Sequence, residues 1–141
     1  MDKNGPVIVI EDDIDDQDMF NEIFKKLEFK NPIVFFTDGN KALEYLKDTD
    51  IIPFLIISDI NMSQINGFEL RNKIHANERL HLKGIPYLFF TTSADKKSVI
   101  EAYALSVQGF FVKPDSFKKM ESTIKKIMDY WRECIAPNEF E

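Results

Sequence analysis

Val7-Ile8-Val9-Ile10-Glu11-Asp12-Asp13 opens the chain with an unbroken β-branched run that three acids end abruptly. A strand with one face in water alternates apolar and polar residues. A run apolar at every position reads as a strand covered on both faces, the condition of a parallel sheet between helices. Beyond the acids, Met19, Phe20, Ile23, Phe24 and Leu27 recur at helical spacing, with Glu22, Lys25, Lys26 and Glu28 on the other face. The unit is strand then helix.

That unit repeats along the chain. Ile33-Val34-Phe35-Phe36 follows Pro32, and Thr37-Asp38-Gly39 turns into a helix that carries Ala42, Leu43 and Leu46. Phe54-Leu55-Ile56-Ile57 follows Pro53 and leads through Asp59 and Asn66-Gly67 to a helix with Phe68, Leu70 and Ile74. Tyr87-Leu88-Phe89-Phe90 precedes a helix over Ser98 to Ser106. Gly109-Phe110-Phe111-Val112 precedes a long stripe of Phe117, Met120, Ile124, Ile127, Met128 and Trp131. Five strands alternating with five helices predict an α/β three-layer sandwich with right-handed crossovers. The expected fold is a flavodoxin-like, doubly wound, five-stranded parallel sheet of order 2-1-3-4-5 with helices on both faces. Residues 6–132 form one domain in this reading, with tails at 1–5 and 133–141, the last stretch from Pro137 to Glu141 frayed.

Composition narrows the function classes. The 141 residues carry a formal charge of −6, which disfavours nonspecific attraction to nucleic acid or anionic lipid. Cys134 is alone, so no internal disulfide forms, and Met1 to Pro6 lacks the basic-then-apolar pattern of a secretory signal. No apolar run approaches the roughly 20 residues of a membrane-spanning helix. These features predict a soluble, cytoplasmic protein. With no appended basic domain in the 141 residues, direct DNA binding is not expected.

The chemistry gathers at the C-terminal ends of the strands: Glu11, Asp12 and Asp13 after the first, Asp59 after the third, Thr91 after the fourth and Lys113 after the fifth. Open α/β sheets hold their sites at that edge. In the order 2-1-3-4-5 the first and third strands are neighbours, so Asp12 and Asp59 face one crevice. Carboxylates about 5 Å apart at an effective dielectric near 20 repel by roughly 3 kcal/mol per pair, so a cation must sit among them. Mg²⁺ suits hard oxygen ligands, needs one or two protein carboxylates and accepts a phosphate oxygen. Lys113 and the Thr91 hydroxyl would then serve phosphoryl oxygens, and Asp59 would be the nucleophile in an in-line transfer.

Read one at a time, these residues have ordinary structural roles. Acids after a strand are often helix caps or first-turn residues, and Asp15, Asp16 and Asp18 are read that way. Lys113-Pro114 alone is a turn and Phe110 a core aromatic. His75 and His81 are read as solvated loop residues. The joint placement of Glu11, Asp12, Asp59, Thr91 and Lys113 is what points to a site.

At these residues the sequence resembles the response-regulator receiver domains of two-component signalling, from Pro6 to Trp131. The resemblance rests on Val-Ile-Glu-Asp-Asp at 9 to 13, Ile-Ile-Ser-Asp-Ile-Asn-Met at 56 to 62, Asn-Gly at 66 and 67, Phe-Thr-Thr-Ser at 90 to 93 and Phe-Phe-Val-Lys-Pro at 110 to 114. It implies that Asp59 accepts the phosphoryl group and that Mg²⁺ is held by Asp12, Asp59 and the backbone carbonyl of Asn61, with Glu11 acting through water. It further implies Thr91 as switch hydroxyl, Phe110 as switch aromatic, Lys113 as phosphate-binding lysine before a cis peptide to Pro114, and Asn61 and Ser93 as positions that tune phosphoryl lifetime. Asp15-Asp16, Phe90-Thr91-Thr92-Ser93 and Tyr130-Trp131 look like the stand-alone receivers that partner bacterial phytochrome-type kinases. Glu11, Ser63 and Thr92 depart from the commoner Asp, Pro and Ala, which bears on the rates of phosphorylation and hydrolysis.

The implied function is that of a phosphoacceptor signalling protein and not a conventional enzyme. It would take its phosphoryl group from a histidine kinase or phosphotransfer protein and signal by altered protein contacts. The surface of the fourth helix, fifth strand and fifth helix is the expected readout and the candidate homodimer contact. The rivals are a phosphorylation-independent binding module on the same fold and a small Mg²⁺-dependent phosphatase. Asn61 stands where such a phosphatase has its second acid. A flavin site is weakest, because the first βα loop is acidic.

Overall fold

The structure is a computed structural model that describes residues 1–48, 50–92 and 94–140. Its five strands, β1 (Val7–Ile10), β2 (Ile33–Phe36), β3 (Leu55–Ser58), β4 (Tyr87–Thr91) and β5 (Gly109–Val112), are all parallel and lie in the order 2-1-3-4-5. The expected fold class and strand order both hold. The pairing Ile10↔Ser58 brings the ends of β1 and β3 level, so Glu11 and Asp59 leave the sheet side by side.

Burial explains why the strands read as they do. Every residue of β1, β3 and β4 is buried, while the edge strands β2 and β5 are only partly covered. Successive side chains of a strand point to opposite faces, and each face meets its own helices. Val7, Val9, Leu55, Ile57, Leu88 and Phe90 pack on one side against α1 (Ile14–Lys26) and α6 (Phe117–Glu133). Ile8, Ile10, Ile56, Tyr87 and Phe89 pack on the other against α2 (Gly39–Leu46), α3 (Gly67–Ala76), α4 (Glu78–Leu82) and α5 (Lys96–Ala104). Each fully buried Leu, Ile or Phe adds about 2 kcal/mol of transfer free energy, so these two cores dominate what holds the layers together.

The helices begin where polar caps demand it. Asp13 caps α1 by accepting from the Asp15 and Asp16 N–H groups, and Asn66 caps α3 in a capping box with Glu69. Asp15 and Asp16 lie in the first turn of α1, as the sequence reading has them, and Asp13 before them is the cap. The region around His81 is not a loop: Asn77 caps the five-residue α4, which makes six α-helices among the described residues instead of five. His75 and His81 stack edge to face with ring centroids 4.6 Å apart.

The terminal stretches also pack. Met1 is 5% exposed and its amino group donates to the Lys83 carbonyl, while Asn31 Nδ2 donates to the Lys3 and Gly5 carbonyls at 2.8 Å. Pro137–Phe140 forms a 3₁₀ turn, not a frayed end, held by a Lys3–Glu139 ion pair at 3.1 Å and a hydrogen bond from Ala136 N to Glu139 Oε2 at 2.6 Å. Buried Ala136 supplies the apolar anchor that the tail's composition does not advertise.

Candidate functional site

Lys113 is the hub. Its Nζ lies 2.6 Å from Glu11 Oε2, 3.0 Å from Asp16 Oδ2 and 3.2 Å from Asp59 Oδ2, with 8% of its side chain exposed. The backbone holds each partner in place. Glu11 N donates to Phe36 O and Asp59 N donates to Ile10 O, extending the ladders of β1 one residue beyond the strands. Lys113 N donates to Thr91 O at 2.8 Å and does the same for β5. Ile60 N donates to Asp59 Oδ1 at 2.7 Å, so one carboxylate oxygen is fixed by the main chain and the other faces the ammonium.

A glycine sets the floor of the site. Gly67 N donates to Ile60 O, and a Cβ at Gly67 would collide with the Asp59 carbonyl oxygen and lie 2.7 Å from Phe89 Cε1. The backbone oxygen has nowhere to go. Gly67→Ala is therefore expected to cost about 2 kcal/mol of stability and to displace Asp59. Urea unfolding together with the rate of phosphoryl labelling checks it; wild-type values for both would show that the loop yields freely.

The electrostatics follow from three acids sharing one cation. Burial is the main force on Glu11 and pushes its carboxyl up to about 7, against the opposing pull of Lys113. Burial also works to lower Lys113, but the hydrogen bonds it donates to Glu11 and Asp16 and the charge of Asp59 hold it above its ordinary value. The ammonium stays charged, and the strain of the shared cation falls on Glu11. Thr91 is the other uncompensated group: it is 1% exposed, and its Oγ1 is buried with no hydrogen-bond partner among the described residues. An unpaired buried hydroxyl costs on the order of 1 to 3 kcal/mol. Thr91→Val is accordingly expected to make the unmodified protein about 1 kcal/mol more stable while removing a donor from the site. Chemical denaturation with and without phosphodonor treatment measures both effects.

The structure places the expected residues unevenly. It brings Glu11, Asp59 and Lys113 into direct contact and puts Thr91 on the neighbouring strand, next to β5 in the register Thr91↔Val112. Asp12 and Asn61 lie exposed on the loops beside them. Ser93 lies outside the described residues. Phe110 is half-buried against Phe89, with ring centroids 6.0 Å apart. The implied cis peptide before Pro114 is a correction: among the described residues no peptide bond is cis. Trans is the lower-energy form by about 0.5–1 kcal/mol even before proline, and from it Lys113 reaches all three acids.

Asp16 was missed as a site residue. It reads as a first-turn acid favoured by the helix dipole, and that role hides its partner, Lys113, 97 positions away. The neighbouring Gln17 adds a second tie, Nε2 to Glu11 O at 2.6 Å.

Among the described residues no group of three His, Cys, Asp or Glu side chains is spaced to hold a metal ion by itself. Glu11 in particular is turned to Lys113, which is the nearest opposite charge to a buried carboxylate. The oxygens still fit a cation that takes few protein ligands and completes its octahedron with water and phosphate. Mg²⁺ has that habit. The orphaned Thr91 hydroxyl and the surplus of acid over ammonium fit an incoming group with oxygen acceptors and a divalent counter-charge.

The sequence matches the family model of the response regulator receiver domain over residues 7–125. The chain belongs to that family. This receiver is 29% identical over 129 residues to chemotaxis protein CheY-3 of Vibrio cholerae, covering 92% of the chain and 95% of the relative. It is 28% identical over 129 residues to the probable methanogenesis regulatory protein FilR2 of Methanothrix harundinacea, covering 89% and 82%. Among solved structures, the Mn²⁺-bound form of the response regulator Rcp1 superposes with a TM-score of 0.80 at 26% identity, covering 94% of this chain and 97% of that one. The phosphorylated cyanobacterial phytochrome response regulator RcpA superposes with a TM-score of 0.85 at 23% identity, covering 95% and 99%, and shows the shared fold. Receiver domains are signalling modules of two-component systems and not conventional enzymes. No helix of this receiver's described residues is long and apolar enough to cross a membrane.

Proposed function

We propose that this receiver takes a phosphoryl group from a histidine kinase or phosphotransfer protein onto Asp59 and signals through changed protein contacts. The observation that supports this most is the meeting of Lys113 with Glu11 and Asp59 at the strand ends, beside a buried Thr91 hydroxyl that lacks a partner among the described residues. In the transfer a new bond forms between an Asp59 oxygen and phosphorus, the bond from phosphorus to the donor's imidazole nitrogen breaks, and that nitrogen keeps the electron pair. Lys113 exchanges a carboxylate for a phosphoryl oxygen. Thr91 donates to another. Asp12, Asp59 and the Asn61 carbonyl would hold Mg²⁺, with Glu11 acting through water, and the ion would supply charge neutralisation at the phosphoryl oxygens.

The readout follows from the position of Thr91. Drawing its hydroxyl toward a phosphoryl group vacates space near Phe110, and the population shifts between two arrangements of that edge. Ile100, Tyr103, Val112 and Tyr130 are more than half exposed on α5, β5 and α6, which favours this face as the contact surface and as a dimer interface. Asn61 and Ser93 would set the lifetime of the acyl phosphate. A partner of the phytochrome-kinase type is favoured by the likeness to RcpA, a phytochrome response regulator.

Incubation with a small acyl phosphate and Mg²⁺ tests the proposal. Mass spectrometry is expected to find one base-labile adduct that maps to Asp59 and disappears on metal chelation. An adduct mapping to another residue, or none at all, counts against the assignment. Release of free phosphate from added phosphoesters over many turnovers would favour the phosphatase instead.

A further inference from the structure

At the end of the sheet opposite the acids, beneath the starts of β4 and β5, lies a cavity of about 410 Å³. That volume is within the range of small-molecule sites, roughly 300–1,000 Å³. Its walls differ from the rest of a chain whose net charge is −6. Arg71, His75, His81, Ser106 and Gln108 supply the polar side, and no Asp or Glu lines it among the described residues. Leu80, Trp131 and Ile135 supply the apolar side.

Arg71 makes the cavity unusual. It is 7% exposed, and a guanidinium remains protonated under all ordinary conditions. A buried charge is expensive unless it is paired. Among the described residues none of the ion pairs includes Arg71. Its Nη2 makes one contact, to Ser106 O at 3.5 Å, at the outer limit of a hydrogen bond, and its Nε is buried with no partner. The positive potential is felt nearby: the charge of Arg71, then burial and His81, hold His75 below its ordinary value. Gln108 Oε1 accepts from Tyr87 N at 2.8 Å, which leaves its amide NH₂ free to donate elsewhere.

We propose that this cavity binds a small organic carboxylate, with its anionic head on Arg71 and Gln108 and its apolar body against Leu80, Trp131 and Ile135. The planar guanidinium matches a planar carboxylate in bidentate contact. An inorganic anion would leave the apolar wall unused. The site is separate from the phosphoryl centre, and its occupancy requires neither Mg²⁺ nor Asp59.

Phenylacetate titrated into the intact, Mg²⁺-free protein tests this, followed by two-dimensional amide NMR. Saturable shifts are expected at Arg71, His75, Gln108 and the Trp131 indole N–H, with no comparable response to phenylacetamide. Arg71→Gln should weaken binding by about tenfold or more. Should that buried substitution unfold the protein, Ile135→Glu at a 69% exposed rim position sets a negative charge at the mouth and should weaken binding likewise. The proposal is overturned by the absence of saturable shifts at these residues, by equal binding of the neutral amide, or by inorganic phosphate producing the same shifts at equal affinity.

Discussion

Asp59→Asn is expected to abolish phosphoryl labelling while leaving the fold intact. The amide matches the carboxylate in size, and its oxygen can still accept from Ile60 N, the 2.7 Å bond that fixes the side chain. What disappears is the nucleophile, since a neutral amide oxygen does not form a stable bond to phosphorus under these conditions. One of the three carboxylates around Lys113 also goes, while Glu11 and Asp16 remain to neutralise the ammonium. Stability should thus be unchanged or higher by up to about 1 kcal/mol, because fewer acids compete for one cation. Mass spectrometry after phosphodonor treatment and urea unfolding measure the two halves of the prediction. Undiminished labelling of the variant at Asp12 or Asp13 would show that the wrong acid has been assigned.

Lys113→Met is expected to have the largest effect on stability. The substitution keeps much of the aliphatic stem and removes the ammonium, leaving Glu11, with 4% of its side chain exposed, and Asp59, with 12%, facing each other without compensation. Breaking a buried pair by deleting one partner costs about 3 kcal/mol or more. The cost should depend on pH with a definite sign. The Glu11 carboxyl, already pushed up to about 7 with burial as the main cause, binds its proton more tightly when folded than when unfolded. The loss is then smaller at about pH 5, where the folded protein keeps that proton, and larger at about pH 8, where it must give it up. Adding Glu11→Gln to the variant, or millimolar Mg²⁺, should restore a large part of the loss. If neither does, the destabilisation comes from lost packing and the electrostatic account of the site is wrong.

These expectations rest on features that were legible in the chain to different degrees. The runs at Val7–Ile10, Leu55–Ser58 and Tyr87–Thr91 were visible as strands because the interior of a parallel sheet is apolar on both faces, so every position carries the signal. Asp59 and Lys113 were visible because they interrupt apolar runs at the same end. The α4 helix was not visible: Glu78–Leu82 is five residues long and buries only Leu80, too short for a helical period to show. The packing of the tail was hidden for a related reason, because its anchor is a single alanine and one ion pair to Lys3.

What the sequence by itself determined is the order of the strands' chemistry: which acid, hydroxyl or ammonium ends each strand, and hence that one edge of the sheet would carry them all. That follows from local alternation of strand and helix and the handedness of the crossovers. Only the tertiary structure decided which of those groups touch. The ammonium of Lys113 chose Glu11, Asp16 and Asp59, partners 102, 97 and 54 positions away, and left Asp12 at the surface. Selection among neighbouring acids depends on how α1 is turned as it leaves β1 and on the level pairing of β1 with β3, and no short stretch of sequence records either. The Arg71 guanidinium, without an ion-pair partner among the described residues, belongs to the same class, for a charge is lonely only by virtue of what the whole fold packs around it.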